Sequence, residues 1–170
     1  MRVALKPHPD TPANAVTAIE VEVAREGGVL RLKYRVTGVV ADVLVPAPAE
    51  FESASELWKE TCFEAFVMGS GEAYCEFNFA PSSRWAAYAF DGYRSGMRDF
   101  EVAPFYVETS AGPDWFELVA AVTPGETGPW RVGLSAVIEE TDERKSYWAL
   151  AHAAGKPDFH HGDAFVLELA

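Results

Sequence analysis

Residues 57–97 read LWKETCFEAFVMGSGEAYCEFNFAPSSRWAAYAFDGYRSGM. The stretch holds three apolar runs of strand length, Cys62–Met68, Tyr74–Ala80 and Trp85–Phe90, divided by turns that carry Gly69, Gly71, Pro81 and Gly92. Polar residues recur inside the runs: Glu64, Glu76 and Asn78. A strand buried on both faces is near-continuously apolar, so carboxylates and an amide there require a partner, a ligand or solvent. Trp58, Tyr74, Trp85, Tyr88 and Tyr93 flank them. Aromatic plates beside convergent polar groups suit an amphipathic small molecule better than a catalysed reaction.

The hairpin register decides how these groups meet. A three-residue turn at Gly69–Gly71 sets Glu64 opposite Glu76, whereas a two-residue turn at Ser70–Gly71 sets it opposite Phe77. Paired carboxylates serve glycoside hydrolysis or hold a cation. The plainer alternative salt-bridges one of them to Arg84, Arg94 or Arg98 and exposes the other. In any register about that turn Cys62 falls opposite residues near 78 or 79, roughly four residues at about 3.3 Å each from Cys75. That is too far for a disulfide, so both thiols are expected to be reduced and inaccessible.

Working outward, the alternation continues. Ile19, Val21 and Val23 share one face of Val16–Ala24, with Glu20 and Glu22 on the other. After Gly27–Gly28, Leu30, Leu32, Tyr34 and Val36 face one way and Arg31, Lys33 and Arg35 the other, giving an acidic strand hairpinned to a basic one with a wet face. Val39–Val45, Pro104–Thr109, Trp115–Thr123, Trp130–Glu139, Tyr147–Leu150 and Phe165–Leu169 read as further strands, the last with Phe165, Leu167 and Leu169 inward. Lys6–Asn14, with Pro7, Pro9 and Pro12, reads as an extended lead-in. No long segment has a helical period. Short strands at this spacing predict an all-β antiparallel sandwich or barrel, with sites in the long loops Asp91–Glu101 and Ala151–Asp163.

A length of 170 residues suits one domain spanning 1–170, large enough for a core without staples. The net charge of −12 argues against a nucleic-acid partner, which needs a basic stripe. No apolar run is long enough to span a membrane. The amino-terminal MRVALKPHPDTPANAV has no apolar segment before its prolines, which sets the expectation of a cytoplasmic protein.

Of His8, His152, His160 and His161, the last two with Asp158 and Asp163 look like a ligand cluster, but adjacent strand positions point to opposite faces. No metal-binding spacing occurs, so no metal is expected. Haem would take Met68, Met97 or a histidine as axial ligand, without a CxxCH motif. Cys62, Ser82, Ser95 and Ser135 lack a nucleophile-elbow setting, so no catalytic residue is assigned. Trp115 and Trp130 lie on inward rows and Trp85 fits either role. Trp58, ahead of its strand, and Trp148, at the end of a short one, are the candidates for exposed plates.

LWKETCFEAFV followed by YCEFNFAPSSRWAAYAF resembles the central hairpin of family 9 carbohydrate-binding modules and the related DOMON domains, in which a tryptophan precedes a strand carrying a glutamate. FELVAAVTP, WRVGLSAVIEE, SYWAL and PDFHHGDAFVLEL resemble later strands of that superfamily. The opening PHP-x-TP segment, Pro7–Pro12, is similar to that of small unsecreted bacterial DOMON-like proteins. The resemblance covers Lys6–Leu169 and implies a β-sandwich that binds sugars or haem. It matches Trp58 to a sugar-stacking tryptophan and Glu64 to a glutamate that hydrogen-bonds the sugar. The site's arginine falls to Arg84 or Arg94. Its second stacking tryptophan has no match; Phe159 or His160 stands nearest, with Trp148 further upstream.

The expectation is therefore an antiparallel β-sandwich that binds a carbohydrate-like small molecule without catalysis. Trp58, Glu64 and either Arg84 or Arg94 should line one concave patch, with Asn78 close and the Gly155–Gly162 loop as rim. A buried Glu64 would require a guanidinium neighbour to stay ionised. A haem-binding DOMON-type domain is the alternative, and an enzyme using Glu64 and Glu76 on sugar-like substrates a further one. No particular cofactor follows.

Overall fold

The computed structural model describes Met1–Ala170. Twelve strands form it: β1 (Arg2–Pro7), β2 (Val16–Glu26), β3 (Val29–Gly38), β4 (Cys62–Met68), β5 (Tyr74–Phe79), β6 (Trp85–Phe90), β7 (Arg98–Asp99), β8 (Tyr106–Ala111), β9 (Trp115–Val122), β10 (Trp130–Glu139), β11 (Lys145–Ala149) and β12 (Leu167–Leu169). The only helical pieces are single 3-10 turns at Val40–Asp42, Leu57–Lys59 and Gly162–Ala164.

All pairings between the strands are antiparallel, in two layers. One sheet runs β1-β2-β3-β9-β8. The other runs β7-β6-β5-β4-β10-β11-β1, with β12 continuing beside β10 where β11 does not reach. The two are one curled sheet joined through β1. Arg2–Leu5 pair with β2, and Lys6–Pro7 turn away to pair with Ala149–Trp148 of β11.

The layers meet over the apolar rows. Val21, Leu32, Tyr34, Val36, Phe116 and Leu118 of the first sheet face Phe63, Val67, Phe77, Phe79, Trp130 and Leu134 of the second in one buried cluster. The Tyr34 hydroxyl donates to the Glu64 carbonyl at 2.8 Å, so the phenol bridges the layers without an unpaired polar atom.

Alternation located most strands, and the differences have physical reasons. β1 lies ahead of the expected lead-in; Pro7 ends it, where the absent N–H costs no ladder bond. Val39–Val45 is no strand, for it finds no partner beyond a single Val43–Glu140 bridge. Phe165 lies before β12 and leaves the inward row, stacking instead on Phe66 at 5.6 Å. The β4–β5 loop is longer than either turn considered, so Glu64 pairs with Asn78 and Glu76 with Phe66. Cys62 and Cys75 thus fall on opposite faces of the hairpin, and both are free and buried.

Candidate functional site

On the second sheet, residues alternating with the core row point away from it: Glu64 and Phe66 of β4, Glu76 and Asn78 of β5, Tyr88 of β6, Val137 of β10 and Tyr147 of β11. This outer face is not open to water. The long connection between β11 and β12 folds back over it, and Phe66, Tyr74, Phe90, Val137, Phe159 and Phe165 form a second buried apolar cluster. Beside that cluster the face stays uncovered in a cleft of about 730 Å³. Trp58, Tyr88, Phe90, Tyr147 and Phe159 line its walls, with Glu64 and Glu76 on its floor.

Trp58 is placed by the 3-10 turn just before β4. Glu56 enters that turn in the left-handed conformation, φ 59°, at a cost few non-glycine residues bear. The indole is 50% exposed, although tryptophan is highly buried on average. Arg94 comes from the tight turn after β6, closed by Ser95 N–H donating to the Gly92 carbonyl. Its backbone N–H donates to the Tyr74 hydroxyl at 3.3 Å. Asp158 organises the opposite rim by accepting from Arg94 at 2.8 Å, from the Tyr93 hydroxyl and from the His160 N–H at 3.1 Å. Burial raises the Asp158 carboxyl, but those donors outweigh it and leave it below the usual range.

The floor is electrostatically unusual. Glu64 is 3% exposed, its Oε2 3.4 Å from Ser135 Oγ, and no hydrogen bond or cation reaches its other oxygen. The expected guanidinium is missing, because Arg94 is spent on Asp158 and Arg84 on Glu52. Burial, and then the nearby Glu76, push the Glu64 carboxyl well above the ordinary range instead. Glu76 is pushed by burial up to about 7, against the opposing hydrogen bond from Asn78 and the charge of Arg94. Asn78 Nδ2 donates to Glu76 Oε1 at 2.9 Å, while its Oδ1 is buried with no partner.

His160 closes the floor. Its Nδ1 lies 2.8 Å from the Tyr74 hydroxyl and its Nε2 3.7 Å from Glu76 Oε2. Burial, then the positive Arg94, lower the imidazole to about 4, so it is neutral around pH 7 and its contact with Glu76 is not an ion pair. Of the histidines and methionines expected to meet a haem iron, His160 and the exposed Met97 line the cleft. No group of three His, Cys, Asp or Glu side chains is arranged around a metal position.

Of the residues singled out by sequence, Trp58, Glu64, Arg94, Phe159 and His160 line this one cleft, with Asn78 just behind the floor. Two do not. Trp148 points inward to the core, 3% exposed, with Nε1 donating to Ser146 Oγ; on β11 it is Tyr147 that faces the cleft. Arg84 lies on the surface, paired with Glu52 at 2.8 Å, away from the cleft. Tyr88, named among the flanking aromatics but not among the site residues, sits directly opposite Glu76, and the alternation of β6 implies its direction. Asp99, on the two-residue strand β7 opposite Tyr88, carried no signal of its own, and Met97 was named only as a possible haem ligand.

The fold can be set beside known structures. Over 98% of its length the chain superposes on 84% of a protein from Bacteroides uniformis provisionally described as carbohydrate-binding, with a TM-score of 0.67 and 16% identity. It superposes to the same extent on 80% of a family 9 carbohydrate-binding module from Caldicellulosiruptor kristjanssonii in complex with cellotriose, at a TM-score of 0.57 and 10% identity. No protein-family model and no curated protein matches the sequence. At such identities the likeness is one of fold alone, an antiparallel β-sandwich shared with these structures.

Proposed function

We propose that this chain is a non-catalytic carbohydrate-binding domain whose ligand lies in the cleft between Trp58 and the Glu64–Glu76 floor. The exposed indole of Trp58 over a polar floor carries the reading. An aromatic face packs on the apolar C–H face of a pyranose, while neighbouring polar groups take its hydroxyls. Glu64 and Glu76 offer both donor and acceptor oxygens when protonated, His160 a ring nitrogen and Arg94 a guanidinium edge. Phe159 and Tyr147 supply the apolar wall that a second tryptophan would otherwise give.

The two structural neighbours described as carbohydrate-binding support the same reading, one of them holding cellotriose. Kinship with the DOMON-like proteins, suggested by the Pro7–Pro12 segment and the central hairpin, belongs to this proposal. The test is titration of glucose and cello-oligosaccharides followed by tryptophan fluorescence and calorimetry. Wild type should bind, and Trp58→Ala should lose about 1–3 kcal/mol of affinity with an unchanged melting temperature. Equal affinity in Trp58→Ala would overturn the placement of the ligand against the indole.

A further inference from the structure

We propose that the preferred ligand is a cationic amino sugar, its ammonium group held by Glu64 and Glu76 while its ring lies on Trp58. This rests on the carbohydrate reading and narrows it.

The charges in the cleft support it. Two carboxyl groups, each at least 95% buried, share the floor, and no lysine or arginine approaches either within ion-pair distance. The one arginine in the wall is paired with Asp158. Of the remaining charged groups at the rim, Asp99 is also acidic, and Glu56 is paired with Lys59 at 2.7 Å. A neutral sugar would leave both buried carboxyl groups without a cationic partner. An ammonium group supplies three donors and a charge, matching the free oxygen of Glu64 and the Oε2 of Glu76 that no hydrogen bond reaches. The aromatic side chains of the walls act in the same sense, since a cation gains from an aromatic face, as Lys59 Nζ does 5.7 Å from the centre of the Trp58 ring. The unpartnered Asn78 Oδ1, buried behind the floor, adds a further acceptor dipole of the same sign.

The group that changes charge around neutrality can be identified by elimination. From the strands Cys62, Tyr74 and Tyr88 face the pair, Tyr147 stands on the far wall, and Tyr34 touches the Glu64 backbone from the other sheet. Burial raises the phenols of Tyr34, Tyr74 and Tyr88 and pushes the Cys62 thiol well up. From the loops His160 is neutral, and Arg94 stays charged against Asp158. The carboxyl pair is left. Its protonated fraction ionises on binding: a neutral carboxyl and the ligand's ammonium become a carboxylate–ammonium pair, and the carboxyl's proton passes to the buffer. Binding should therefore weaken as pH falls below about 7, where that proton is harder to remove.

The experiment is calorimetric titration of wild type with glucose, glucosamine and 6-amino-6-deoxyglucose at pH 7, in buffers of differing ionisation enthalpy. An amino sugar should bind at least about tenfold more tightly than glucose. It should release a proton counted from the buffer dependence and absent with glucose, a readout needing no variant. Glu76→Gln, close in shape, should shrink the amino-to-neutral affinity ratio towards one. Equal binding of charged and neutral sugars, with no proton released, would overturn the inference and leave the carbohydrate reading standing. Failure of every sugar, charged or neutral, would overturn both.

Discussion

The outer faces of the two sheets are built from the same alternation and end in opposite states. On the first sheet Glu22, Lys33, Arg35 and Glu117 form a cross-strand ladder, with Arg35 2.7 Å and Lys33 3.4 Å from Glu117 and water over most of it. On the second, Glu64, Glu76 and Asn78 occupy the equivalent polar row but are roofed by aromatic side chains and by the connection from β11 to β12. The first row neutralises itself within the sheet. The second has no counter-charges and answers by holding protons. A polar row on a strand is thus a solvated face or a binding floor according to what the loops lay over it, and the strand alone does not say which.

That contrast can be broken most forcefully at Phe66, on the outer face of the second sheet. If the face is a true interior, Phe66→Ala should cost about 3–5 kcal/mol in chemical denaturation, because its ring packs on Phe165 and Tyr74. A loss below about 1 kcal/mol would put Phe66 in the class of ordinary surface positions.

A smaller effect sharpens the electrostatic half. Burial lifts Glu76 from its usual 4.5 to about 7, so the folded protein keeps a proton that the unfolded chain has lost. The stability this gives is fully present below about pH 4.5 and disappears as pH rises through 7. His160, lowered from 6.5 to about 4, works the other way: its contribution is present above about pH 6.5 and lost as pH falls towards 4. Glu64, also raised, adds a slope of the same sign as Glu76, so the histidine offsets only part of the carboxyl effect and wild-type stability rises on acidification. Glu76→Gln should flatten that rise, and His160→Gln should steepen it. Each change is on the order of 3 kcal/mol across the range, read from urea melts at pH 4.5 to 8. Parallel curves for wild type and Glu76→Gln would mean that Glu76 is ionised in the folded protein.

The smallest effect belongs to the first sheet. Glu117→Gln removes the acceptor shared by Lys33 and Arg35 and should cost less than about 1 kcal/mol, shrinking further in high salt. A cost as large as that of Phe66→Ala would erase the distinction between the faces.

The strands were legible because a buried row leaves a period-two trace; β4, β6 and β10 begin and end where their apolar runs do. The pairing was less legible. A five-residue loop, Gly69–Ala73, looks like a turn of two or three when Gly69 and Gly71 are taken as its limits, and that shift moved Glu64 from Glu76 to Asn78. Trp148 was misplaced because Tyr147 and Trp148 sit side by side on a short strand, where local pattern does not choose between faces. Trp58 was legible because it stands outside any alternating run. Arg84 and Arg94 differ by which acid claims them, Glu52 or Asp158, and sequence distance reveals neither partnership.

The seam at β1 bears on how the chain reaches this state. Its two halves serve different sheets, and the second waits for β11, nearly the whole chain away. The first sheet's β2–β3 hairpin can assemble early from neighbouring segments. The join between layers belongs to the end of folding, after the costliest loop closure in the molecule. A chain halted between β3 and β11 would carry Lys6 and Pro7 as an unclaimed edge beside exposed apolar rows, the kind of surface on which chains pair with each other instead.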